Sequence, residues 1–445
     1  MDGATFETAN PTTYTVEDAI TLNNPGKDGY EFAGWYDNEG FTGSAITGVA
    51  IAKGSTGDKT FWAKWTRPIT SEGITISIPS QEWTGSALTP VITVTDGTTT
   101  LNEGTDYTVT APSGPIQDAG DYTFTITGKG NYSGETTVTF TIVPKTVTVK
   151  NDQNEDLPAA TGDAEITEDQ TGLTLTLITP EEDETPQTVS IPTPVEVDHV
   201  DVERSYTSGK AATVYLPFSI DVSKVSGGKF YKFTDVVETK TPWEVTYDEI
   251  TTGEIKANTP YIFLPDGAND GKIVVNNGAD KITVGTGIAC EQQKDLDGKW
   301  EFIGTYEQIR WLSDPDAEGY TAARAAEIGR VYGFAAENLT VGEKNFTVGQ
   351  FVKVGSGAHI NPMRAYLIRS TDNSGVRAAA RGAGEELPST MKVIIRGAKG
   401  DTTEIGTFTI DSETGDWYSL DGRKLSGKPS AKGLYIHNGR KEVIR

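Results

Sequence analysis

Apolar and polar residues alternate with a period of two along most of this chain. In "GITISIPS" Ile74, Ile76 and Ile78 are separated by Thr75 and Ser77; "GDYTFTITG" repeats the pattern at Tyr122, Phe124 and Ile126, and "TTVTFTIVPKTVTV" continues it through Val138, Phe140 and Ile142. Such a period places every second side chain on one face, which predicts half-buried strands. Asp96-Gly97 falls between two of these runs and is a hairpin signal, because Gly supplies the positive φ that a tight turn requires. Residues 68–144 therefore read as a small antiparallel sandwich. The pattern resumes in "ATVYLPFSI", where Val214, Leu216, Phe218 and Ile220 alternate, and in "PYIFLP", "KIVV", "KWEFIGTY", "QFVKV" and "RAYLIRS", so residues 198–371 read as one larger antiparallel β-sandwich.

Two stretches break the alternation. "TYTVEDAITL" offers Thr15 as an N-cap with Asp18 three residues on, which predicts a short helix and makes residues 10–67 a compact α+β unit. "YTAARAAEIGR" is Ala-rich and predicts a helix interrupted at Gly329. Residues 145–197 are acidic and Pro-bearing and read as mixed strand and linker. Residues 1–9 read as a disordered or incomplete N-terminal segment, 372–390 as an exposed linker, and 391–445 as a C-terminal β tail in which Asn438-Gly439 joins a hairpin. The fold class expected is mainly β and multidomain, an elongated monomer with flexible joints near 67–70, 145–197 and 372–390.

Charge narrows the partners. Of 445 residues, 38 are Lys or Arg and 63 are Asp or Glu, a formal charge of -25. Nucleic acid and anionic lipid are thereby poor partners. One cysteine, Cys290, excludes an intrachain disulfide and reads as a buried structural thiol. No apolar run approaches the roughly 18–20 residues of a membrane span, so no membrane insertion is expected, and "MDGATFETAN" lacks the regions of a signal peptide. An acidic, Gly- and Thr-rich, cysteine-poor chain of short modules suits a piece of an exported protein, extracellular or on the outer cell surface.

Three stretches resemble known families. "TYTVEDAITLNNPGKDGYEFAGWYDNEG...GSTGDKTFWAKWT", residues 12–66, resembles the Listeria-Bacteroides repeat, the B-repeat of bacterial internalins. That resemblance implies a β-grasp-like module of a secreted or wall-attached protein, with Tyr30, Phe32, Trp35, Tyr36 and Trp65 as core. "WTGSALTPVITVTDGTTTLNEGTDYTVT...DAGDYTFTITGKGNYSGETTVTFTIV", residues 83–143, is similar to the Ig-like repeats of bacterial adhesins, with Trp83 where the pattern usually has tyrosine, and implies a stalk element. "WYSLDGRKLSGKPSAKGLYIHNGRKEVIR", residues 417–445, resembles part of the sorting domain of the Por (type IX) secretion system of Bacteroidales. The β-rich segment before it is similar to modules that precede such tails in gut bacterial surface proteins.

Candidate chemistry is sparse. A domain of under about 60 residues needs its largest side chains inside, so Trp35 and Trp65 are assigned to core, whereas Trp62 and Trp83 are candidates for exposed ligand contact. Trp243, Trp300 and Trp311 are the corresponding candidates in 198–371, for stacking on a sugar. His199, His359 and His437 lack metal-ligand spacing, and no metal or cofactor site is expected. "SDPDAEG" and "KDLDGKW" lack a calcium loop's closing glutamate and read as solvated acidic loops. "GKGNYSG" opens no helix, so phosphate binding is unsupported. The expectation is a non-catalytic, adhesin-like scaffold presenting a binding region to a host glycoprotein or polysaccharide. The alternatives are a carbohydrate-binding accessory protein and, with less support, a glycan-cleaving enzyme with paired carboxylates.

Overall fold

The computed structural model describes residues 3–151, 153–178, 187–341, 344–370 and 387–397, with short strands at Thr402–Glu404, Trp417–Tyr418, Gly433–His437 and Arg440–Ile444. The architecture is mainly β and multidomain. The chain divides into two compact units after Lys145.

In the first unit Glu31–Tyr36 pairs antiparallel with Trp62–Pro68, with Phe32 opposite Trp65 and Tyr36 opposite Trp62. The ladder bulges beside Gly34, whose φ of +127° and whose approach to Ala45, where a Cβ would come within 2.6 Å, both demand glycine. Trp35, Tyr36 and Ile51 are buried, and Phe32 packs edge-on against Trp35 and Trp65. Tyr30, expected in the core, is 42% exposed under Lys27 Nζ. The helix expected after Thr15 does not form. Asp18 Oδ2 does accept from the Thr15 backbone N–H at 2.6 Å and from its hydroxyl at 2.9 Å, but the chain then enters the strand Ile20–Thr21, which pairs with Val49–Ile51. The capping residues close one turn, and tertiary pairing takes the β-branched residues that follow. No helix occurs among the described residues of this unit, so its expected α+β character is not seen.

The following sandwich matches the alternation. Ile74–Ser77, Thr93–Asp96 and Thr99–Thr100 form one sheet; Tyr107–Thr110, Gly120–Gly128, Glu135–Val143 and Gln81–Glu82 form the other. Phe124, Ile126, Phe140 and Ile142 are buried between them. The turn signal at Asp96-Gly97 is displaced by one residue, since Asp96 pairs with Thr99 and the turn itself is Gly97-Thr98. The expected joint at 67–70 is a bonded seam. Tyr132–Ser133 lies parallel to Arg67–Pro68; Arg67 N–H donates to Asn131 O at 2.9 Å, Ile69 N–H donates to Ser133 O at 2.8 Å, and Ile69 is buried. Across it Arg67 meets Asp96 at 2.5 Å, and Tyr132 donates to the same carboxylate at 3.1 Å. The glycines of "GKGNYSG" let the docking loop fold tightly on its own module, because a Cβ on Gly128 would strike the Ser133 backbone and one on Gly130 the Thr105 carbonyl.

The second unit is built on a long sheet. Its strands run in the order Ala212–Tyr215, Pro260–Pro265, Gly228–Val237, Glu244–Glu249, Thr390–Arg396, Gln350–Lys353, Val331–Phe334, Arg364–Arg369, Trp300–Thr305 and Gln293–Lys294. The sheet curls until its first strand meets its eighth and ninth: Ala365 N–H donates to Thr213 Oγ1 at 3.1 Å, and Tyr215 packs on Gly304. Inside lie Phe233, Tyr247, Trp300, Phe302, Tyr332 and Phe351. On the outside, Val214, Phe230, Tyr261 and Phe263 join Ile166, Leu175, Leu177, Val200 and Ile273 in a second core. "PYIFLP" thus reads as a continuous apolar run because it is buried on both faces.

Two boundaries change. Residues 145–197, expected as strand and linker, supply Ala164–Asp169 and Gly172–Leu177 to a sheet of the second unit, with Ala159, Ile191 and Val197 fully buried. Thr390–Arg396, placed by its sequence at the start of a tail, is an interior strand of the long sheet, parallel to Glu244–Glu249 and antiparallel to Gln350–Lys353. Residues 372–386 of the expected linker lie outside the described residues. Gly433–His437 and Arg440–Ile444 pair as the expected hairpin, with His437 opposite Arg440; its turn residues Asn438 and Gly439 lie outside the described ones.

Candidate functional site

The five candidate tryptophans are not brought together as one surface. Trp300, expected exposed, is completely buried inside the curled sheet; its indole N–H donates to Glu238 Oε1 at 2.9 Å, and Arg369 reaches the same carboxylate at 3.3 Å. Trp311, also expected exposed, is 1% accessible and donates to Glu327 Oε2 at 2.9 Å. A buried indole needs a partner for its one donor, and each carboxylate supplies it. The expected helix is only Ala322–Ala325, capped by Thr321; Arg324 within it and Glu327 just after it form the ion pair at Trp311. Trp243 is half-buried, edge-on against Trp300. Trp62 and Trp83 are half-buried in the first unit, Trp83 over the core of Phe124 and Phe140. Cys290, expected buried, is exposed. The aspartates of the two acidic loops serve their own turns: Asp316 N–H donates to Asp314 Oδ1 at 3.0 Å, and Asp295, itself buried, accepts from Trp300 N–H at 2.9 Å.

Two cavities open on the second unit. The larger, of about 390 Å³, is polar, lined by Asp248, Glu249, Glu254 and Glu291 against Lys232 and Lys256. Glu291 lies between Lys232 at 2.6 Å and Lys256 at 3.2 Å, while Glu249 and Asp248 pair with Lys229 and Arg396. The ammonium of Lys232, and then that of Lys256, hold the Glu291 carboxyl below the usual carboxylate range. A carboxylate kept ionised in this way is a poor proton donor at neutral pH.

The smaller cavity, of about 190 Å³, has the opposite character. It opens where the curled sheet meets itself, between Thr213 on the first strand, Phe334 at the end of Val331–Phe334, and the turn His359–Arg364. Met363 in that turn holds φ at +57°, a conformation an unbranched residue adopts at a cost, and its carbonyl accepts from Arg204 at 3.3 Å. Arg204 is 4% exposed and stacks over Tyr206 at 4.5 Å. Arg364 follows Met363. Burial, and then the neighbouring Arg204 guanidinium, push it down to about 10, so it is still a cation at neutral pH. Among the described residues its side chain has no hydrogen-bond or ion-pair partner. The sequence carried no pointer to this pair, because Arg204 and Arg364 are 160 positions apart and each sits at one end of an ordinary strand pattern.

Searches against family models and curated proteins find no match to the sequence.

Proposed function

We propose that the chain is a non-catalytic, adhesin-like scaffold of a secreted or cell-surface protein, which holds a binding unit out toward a host glycoprotein or polysaccharide. The observation that carries this reading is the seam of the first unit. A module boundary that carries ladder hydrogen bonds, a buried Ile69 and an Arg67–Asp96–Tyr132 cluster resists bending and pulling, a property a stalk needs and an isolated catalyst does not. The resemblances at 12–66, 83–143 and 417–445 and the acidic, cysteine-poor composition support the same location. The sugar-stacking alternative loses two of its five aromatics, since Trp300 and Trp311 are core. Beads coated with the full chain and held under shear flow over mucin, matrix protein or plant polysaccharide test the reading. Retention on one surface above that of uncoated beads is expected; retention on none, or release of reducing sugar from a surface, overturns it.

A further inference from the structure

We propose that the cavity beside Arg364 is a binding site for a compact carboxylate carried on a single ring, such as an acidic sugar residue, with the Arg364 guanidinium as the charged contact and Arg204 reinforcing the field behind it. The chain as a whole carries a charge of -25, yet here two cations lie side by side. The charged and titratable groups around Arg364 are Arg204, Tyr206 and, on the same cavity wall, His359, and none of them is a carboxylate. Arg204 spends a donor on the Met363 carbonyl and its face on Tyr206, and Arg364 spends none.

Arg204 is buried and Arg364 half-buried beside it, and neighbouring like charges of which one is out of water destabilise an empty fold, so packing alone does not account for the pair. An anion supplies the missing counter-charge. The guanidinium is a planar fork that meets a carboxylate through two parallel hydrogen bonds, and it is the side chain suited to that recognition where water is thin. The rest of the wall fits a small organic acid better than a bare ion. Phe334 and Ile360 offer apolar cover for a carbon skeleton, while the Thr213 hydroxyl and the Asn361 amide keep donors after accepting from Ala365 N–H and Gln308. A dry cavity of about 150 Å³ holds a benzene ring, so about 190 Å³ takes one substituted ring and not a chain of them.

This proposal stands whether or not the chain is a scaffold. Its test is calorimetric titration of the full chain with glucuronate, with glucose as the neutral twin and inorganic phosphate as the rival anion, alongside thermal melts of wild type, Arg364→Met and Arg364→Lys. Saturable glucuronate binding is expected, weaker by about tenfold or more in both variants because neither presents the fork. Arg364→Met also raises the melting temperature of the ligand-free chain and abolishes the rise that glucuronate gives the wild type. Equal binding of glucose, binding of phosphate without glucuronate, unchanged binding in Arg364→Met, or a lowered melting temperature in that variant each overturns the proposal; the last would mark Arg364 as structural.

Discussion

Trp300 shows what one residue does in this fold. It closes the inside of the curled sheet against Tyr332 and Trp243, with its N–H on Glu238. Trp300→Ala removes the largest side chain of that core and is expected to cost about 3–5 kcal/mol in urea unfolding. The sequence offered no way to separate Trp300 from Trp62 as ligand contacts. Exposure of a strand residue depends on what lies over the outer face, and "KWEFIGTY" has apolar residues on both faces because a third core, with Trp311, Tyr366 and Ile368, covers the other one. Asp198 gives the pH dependence at this scale. The Leu173 N–H first, and Lys281 at 3.0 Å second, hold its carboxyl below the usual carboxylate range. A folded-state pKa below the unfolded one contributes stability that is present above the unfolded value and lost as pH falls through the folded one. Asp198→Asn should therefore lower the melting temperature at pH 7, and the difference from wild type should shrink as pH falls through the folded-state value.

At the scale of elements, alternation named the strands of residues 68–144 and most of those in 198–371, because each such strand has one face in a core. It did not name their partners. Thr390–Arg396 is separated from Glu244–Glu249 by more than a hundred residues, and no local pattern records that the two lie parallel. Its burial is legible afterwards: Met391, Val393 and Ile395 alternate and are all in the core. A chain stopped after residue 404 keeps every strand of the long sheet and should keep its cooperative thermal transition. One stopped after 389 leaves both neighbouring strands with unpaired ladders and exposes Val245 and Phe351, so it should lose its cooperative thermal transition and bind a hydrophobic dye. The seam at 67–70 was missed for a related reason. Read locally, "TRPITSEG" is a turn-rich junction; its partner is the "GNYSG" loop some sixty residues on. Asp96→Ala leaves Arg67 and Tyr132 without their shared acceptor and should destabilise the first unit by about 1–3 kcal/mol. The Arg67→Ala, Asp96→Ala double variant should cost less than the sum of the singles, as expected for residues in contact.

Over the whole molecule, class and modularity were legible and the candidate site was not. Period-two patterning reports strands wherever they occur, and composition reports the absence of apolar runs long enough for a spanning helix, which agrees with the absence of any such helix among the described residues. The cavity lined by Thr213, Phe334 and Arg364 exists only once the sheet has curled and brought its first strand against its eighth. The account assigns mechanical support to the first unit and ligand recognition, without turnover, to the second. Equilibrium binding of the two units, 3–145 and 146–445, prepared separately and presented with one panel of mucins, matrix proteins and polysaccharides, with the chain length of each polysaccharide measured before and after, tests this most directly. The account predicts that 146–445 binds with the affinity of the full chain, that 3–145 does not bind, and that every polysaccharide keeps its length. Binding by 3–145 alone, or any shortened polysaccharide, would contradict it.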